Sequence, residues 1–175
     1  MTLEDLIAEI QRCFSSTASV PPMTVRQAHL ADQSLFREIS DEEWQAARGE
    51  VHVRWLDVSD AELCAGLSAL DHFDASSLHF YLPAYLRFSV RHVGADLLSA
   101  EGELLGSIVH TLTHKSAYNL ARLSGLADEQ KHCVVSVLRW IAAHSQVYAS
   151  DAQKGLDRLW LNPEGWASVE LQIPT

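Results

Sequence analysis

A proline in the middle of the most apolar stretch of the chain constrains the fold more than any other feature. Residues 79–93 read HFYLPAYLRFSVRHV, and seven of the first ten are apolar or aromatic, so the stretch is expected at the centre of a core. Pro83 lacks a backbone N–H and is best tolerated in the first turn of a helix. It therefore predicts a short helix ending near Leu82, a second leaving from Pro83, and a sharp bend between them. Leu86, Ser89, Val90 and Val93 then return every three or four residues, marking the buried face of the second helix. Arg87 and Arg91 lie one turn apart on another face.

Helical periodicity and capping residues organise most of the remaining chain. Thr2 and Asp5 open a helix over residues 3–14, and the small polar run ending in Pro21-Pro22 reads as a linker over 15–22. Thr24 caps a second helical run that carries Val25, Ala28, Leu35 and Phe36 inward, with a break near Asp32. Ser40 with Glu43, and Ser59 with Glu62, are spaced as capping boxes. The first turns Trp44 and Ala47 inward; the second opens a helix with Leu63, Leu67 and Leu70 on one side. Between them Val51, Val53 and Trp55 alternate with polar residues, a strand-like pattern over 51–56 too short to found a sheet. Asp74 or Ser76 caps the element leading into the central stretch, and Gly94 stops the helix that leaves it. Further helices are expected over 104–112, 127–143 and 151–160. The fold class that follows is all-α, one compact domain over 1–175 with six to eight helices.

The chain is long enough to bury a sizeable core without disulfide staples. Cys13, Cys64 and Cys133 are scattered among apolar neighbours and read as reduced core thiols. No apolar run could span a bilayer, and MTLEDLIAEI carries acids where a secretory signal needs bases, so the expected compartment is the cytoplasm. The net charge of −10 is uneven: residues 38–74 hold ten acids against Arg48 and Arg54. Such a surface argues against direct nucleic-acid binding, which needs cations for phosphates, and favours a basic protein partner. The candidate recognition residues are Asp41, Glu42, Glu43, Asp57, Asp60 and Glu62. The plainer reading of the same acids is a solvated surface that keeps the protein soluble.

The phrases FYLPAYLRF, ALDHFDASSL and LADEQKHCVVSVLRWIA together carry a family resemblance over residues 24–160. They are similar to a family of small uncharacterised bacterial proteins with a Tyr-Leu-Pro-Ala-Tyr-Leu core. The resemblance implies a helical fold and a bacterial origin, and it implies no activity.

Three constellations could carry chemistry. Tyr81, Tyr85, Arg87 and Arg91 crowd one segment, and paired guanidiniums with phenolic donors could hold a small anion, although two core tyrosines and two surface ion pairs would look the same. His110 and His114 have the i,i+4 spacing that can seat a metal, with Glu101 or Glu103 as a third ligand. Thr111 occupies the place where a zinc protease needs its glutamate. His72 lies between Asp71 and Asp74, where a carboxylate could orient an imidazole, but no nucleophile motif accompanies it. No phosphate-binding glycine loop is present, so no cofactor is expected. The composition points to a binding protein, immunity- or antitoxin-like in its most concrete form, and the alternative is an enzyme or small-anion binder using the Tyr/Arg set.

Overall fold

In the computed structural model, which describes residues 1–15 and 20–167, the chain is a stack of helices with no strand among the described residues. The linker expected over 15–22 lies partly outside them. The α-helices are α1 (Leu3–Cys13), α2 (Val25–Gln33), α3 (Asp41–Arg48), α4 (Asp60–Ala65), α5 (Ala69–His72), α6 (Ala75–Arg91), α7 (Ala100–Thr113), α8 (Ala117–Ser124), α9 (Asp128–His144), α10 (Ala149–Gly155) and α11 (Pro163–Ala167). A 3-10 turn covers Trp55–Asp57, and a π-helical turn, Leu156–Trp160, follows α10. The described residues hold eleven α-helices, more than the six to eight expected; eight of them have seven residues or more, and α4, α5 and α11 are shorter.

Helix α6 is the axis of the molecule, touching α1, α4, α7, α8, α9 and the 3-10 turn. It runs unbroken through Pro83, and every residue of the stretch 80–90 is buried. The helix end expected near Leu82 is absent. Proline costs a helix interior about 3 kcal/mol through one lost hydrogen bond and a ring clash. Breaking the helix would expose several of the side chains around it, each worth about 1.5–3 kcal/mol of burial, so continuity wins. Asp74 accepts the Ser77 N–H at 2.9 Å and starts the helix.

The helix starts lie where the caps are. Thr2 with Asp5, and Thr24 with Gln27, form complete capping boxes. Ser40 and Ser59 accept the backbone N–H of Glu43 and Glu62, each at 3.1 Å, but both boxes are half-made. Glu43 turns to Arg37 and Glu62 to His52 instead. Each carboxylate finds a side-chain donor in Arg37 or His52 in place of the N-cap backbone N–H. Helix α3 leaves Trp44 and Ala47 only half-buried, and α2 stops at Gln33, where the Ser34 hydroxyl donates back to the Ala31 carbonyl. Leu35 and Phe36 are therefore outside the core. The alternating residues 51–56 find no partner strand; Val53 is exposed, and Trp55 drops inward to donate its indole N–H to the Phe14 carbonyl.

Sequence periodicity missed α8, whose buried Arg122 ties it to α5 and the residue that ends it. Its guanidinium donates to the carbonyls of Leu70 and Phe73 and to Asn119, and sits 4.0 Å over the Tyr118 ring, whose hydroxyl also donates to Phe73. Burial holds its pKa below the usual arginine value. Replacing Arg122 by Ala is expected to cost about 1–3 kcal/mol, because the Leu70 carbonyl would lose its guanidinium donor and Phe73 would keep only the Tyr118 hydroxyl. Urea denaturation of the variant measures this, and an unchanged midpoint would show that solvent can replace the clamp.

Candidate functional site

The acids singled out above sit at three places in the chain's first half: the first turn of α3, the end of the 3-10 turn and the first turn of α4. Carboxylates at helix N-termini are favoured by the helix dipole. The structure divides them into two groups. Glu43 takes a two-pronged contact from Arg37 at 2.6 and 2.9 Å, and Asp57 takes one from Arg54 at 2.7 and 3.0 Å. Those guanidinium bonds hold both carboxyls below their ordinary pKa. Asp60 accepts from His92 at 3.0 Å with Arg91 at 3.7 Å, and Glu62 accepts from His52 at 2.7 Å, both half-buried. These four brace the α3–α4 region. Asp41 and Glu42 are exposed and have no ion pair among the described residues.

What sequence reasoning missed lies beside them. Leu35 is 71 % exposed and Phe36 86 %, in the connection between α2 and α3. Arg37 donates to Gln33 at 2.9 Å as well as to Glu43, which ties this connection against the first turn of α3. Two large apolar side chains, the exposed Glu38 and the unpaired Asp41 and Glu42 thus fall within a few residues of one another. The available signal was the polar run Asp32-Gln33-Ser34, which ends a helix before Leu35 rather than after Phe36.

The Tyr/Arg set does not converge. Two residues along a helix is a rotation of about 200°, so Arg87 points away from Tyr85. Tyr81 and Tyr85 are wholly buried, with Tyr81 stacked on Phe73 at 5.0 Å. Burial raises both hydroxyls far above the ordinary tyrosine pKa. Arg87 is buried too, donating to the carbonyls of Leu56 and Val58 beneath Trp55, so it braces the 3-10 turn. Arg91 is at the surface on Asp60. Arg26 and Arg48 line a hollow of about 340 Å³ with His52, Glu50 and Glu62. A second hollow of about 440 Å³ between α2 and α4 shares Arg26 and Glu62.

His110 and His114 stack on each other at 4.6 Å and line a cleft of about 430 Å³ with Tyr148, Asp151, Lys154 and Arg158. Among the described residues no pair of further Asp, Glu, Cys or His ligand atoms, and no single one, completes a set of three around them; Glu101 and Glu103 do not. His72 bonds Asp32 at 3.1 Å, whereas Asp74 is occupied as a helix cap, so the dyad expected from adjacency is not made.

None of the described helices is long and apolar enough to cross a membrane. Comparison with curated proteins and with solved structures finds no match. A family model does match, over residues 2–163, which takes in all of the acidic surface, the central helix and the histidine cleft. This chain belongs to DUF6714, a family of unknown function.

Proposed function

We propose that the protein is a non-catalytic binding protein that takes a basic protein partner on the surface made by residues 35–43. The observation that supports this most is the exposure of Phe36 and Leu35 beside unpaired carboxylates. Exposed apolar anchors in a charged rim are the plan of a protein interface: the anchors supply affinity, and the rim supplies encounter rate and selects partner charge. Glu43 and Asp57 are neutralised by Arg37 and Arg54, and Asp60 and Glu62 are held by their own partners, so the steering charge falls to Asp41, Glu42 and Glu38. In its narrower form the partner is a basic toxin, and the protein acts as an immunity or antitoxin-like protein, its carboxylates competing with the phosphates that such a toxin would bind.

Two double variants test the reading, Leu35→Ser with Phe36→Ser and Asp41→Asn with Glu42→Gln. Both should unfold within about 0.5 kcal/mol of wild type, because all four side chains are exposed. The first should lose capture of basic partners from host lysate. The second should keep the partner but associate more slowly, with a weaker dependence on salt, since charge steering acts over about 8 Å at physiological ionic strength. Equal recovery by wild type and both variants would remove this surface from consideration. The alternative small-anion reading rests on Arg26, Arg48 and His52 around their hollow, and a phosphate titration followed by amide chemical shifts is its arm of the same experiment.

A further inference from the structure

Helices α1 and α9 are 114 residues apart at their nearest ends and pack side by side. Each carries a glutamate followed four positions later by a cysteine: Glu9 and Cys13 on α1, Glu129 and Cys133 on α9. The spacing of four puts both members of each pair on one face of their helix. The packing turns these faces toward each other. A carboxylate oxygen of Glu9 and the two sulfur atoms all lie within 4.8 Å of one another. Cys13 and Cys133 are 2 % and 0 % exposed, and Glu9 is half-buried above them. Ser136, one turn past Cys133, donates its hydroxyl to Glu9 at 3.0 Å and so holds that carboxylate toward the thiols. Glu129 is exposed on the same side, close enough for its charge to be felt at Cys13.

We propose that Glu9, Cys13 and Cys133 form a binding site for a thiophilic divalent cation of the zinc class, with Glu129 or a water as the fourth ligand. Two thiolates and one or two carboxylates are a donor set that suits such an ion, and soft sulfur ligands select it against magnesium and calcium. Ligand atoms in a tetrahedral zinc site stand about 3.8 Å apart, as follows from Zn–S bonds of about 2.3 Å. The triad therefore needs only side-chain adjustments of about an ångström to close. Each thiol gives up its proton as the sulfur binds, and Arg12, whose charge acts on both cysteines, offsets part of the negative charge that accumulates. The Ser136 hydroxyl is a supporting contact that fixes the ligand carboxylate, as metal sites commonly have. Bound there, the cation would tie the first helix of the chain to the longest late one. This inference is independent of the partner-binding surface, which lies on other elements.

The test uses the untagged, fully reduced chain titrated with Co²⁺, which reports thiolate ligation through a near-ultraviolet charge-transfer band and a tetrahedral site through strong visible bands. One equivalent should produce both, and Zn²⁺ should displace the cobalt and raise the melting temperature. Cys13→Ser and Cys133→Ser should each abolish the charge-transfer band, and Cys64→Ser should leave it intact. Glu9→Gln and Ser136→Ala, at half-buried positions where the fold is not at stake, should weaken Co²⁺ binding about 10–100-fold. Absence of the band at stoichiometric cobalt overturns the proposal. So does a band that survives both serine variants, or unchanged affinity in Glu9→Gln.

Discussion

Replacing Leu86 by Ala is expected to lower the unfolding free energy by about 2–5 kcal/mol, the cost of deleting a buried leucine side chain and leaving a cavity. Leu86 is wholly buried, and so are Leu82 and Val90, which lie one turn before and after it on α6. Because α6 is covered on every side, its neighbours have little room to collapse into the space, which favours the upper part of the range. Urea denaturation measures the loss. Leu98→Ala is the matched control: this side chain is 94 % exposed and should change stability by less than about 0.5 kcal/mol. A comparable small value for Leu86→Ala would mean that α6 is not the centre of the core.

Alkaline pH should destabilise the protein steeply, and the cause lies in the same helix. Burial raises the hydroxyls of Tyr81 and Tyr85 above their ordinary pKa, so the folded state keeps both protons where the unfolded chain, with tyrosines near pH 10, releases them. The unfolded state then binds fewer protons, and stability falls as pH rises. Their contribution is fully present below about pH 10 and declines above it by up to about 1.4 kcal/mol per pH unit for each tyrosine. Two units of pH would thus remove about 5 kcal/mol. The buried Cys133 thiol, also pushed up by burial, adds a loss of the same sign that begins at lower pH. Urea midpoints measured across this range for wild type and for the double variant Tyr81→Phe, Tyr85→Phe separate the two sources. The variant should show the shallower slope, and equal slopes would refute the assignment. At neutral pH Tyr85→Phe should be close to neutral, since its hydroxyl has no hydrogen-bond partner among the described residues.

Five helix starts and the central core stretch were legible in the residues alone, because capping and helical amphipathicity act over three or four positions; the starts of α7 behind Ser99 and of α8 behind Ser116 were not read. Thr2, Thr24, Ser40, Ser59 and Asp74 each accept a backbone N–H three residues on, and no distant group is needed to make that bond. The candidate sites were legible only as residue types. Tyr81, Tyr85, Arg87 and Arg91 are neighbours in sequence, yet they face the core, the 3-10 turn and the surface. Proximity along a helix is not proximity of side chains. His72 likewise sits beside Asp71 and Asp74 in the chain and bonds Asp32 instead.

Local chemistry was enough to make this an all-helical chain with an acidic first half and a buried centre at residues 80–90, because propensity, capping and charge content belong to short segments. Packing decided the rest. It carried α6 unbroken through Pro83, since the burial gained around the whole helix exceeds one lost hydrogen bond. It left Phe36 in solvent and put Trp55 inside, reversing a pattern that alternation alone could not orient. It also brought Cys13 to Cys133 across 120 positions, a contact that no spacing rule encodes, because only the docking of α1 on α9 fixes which of their faces meet.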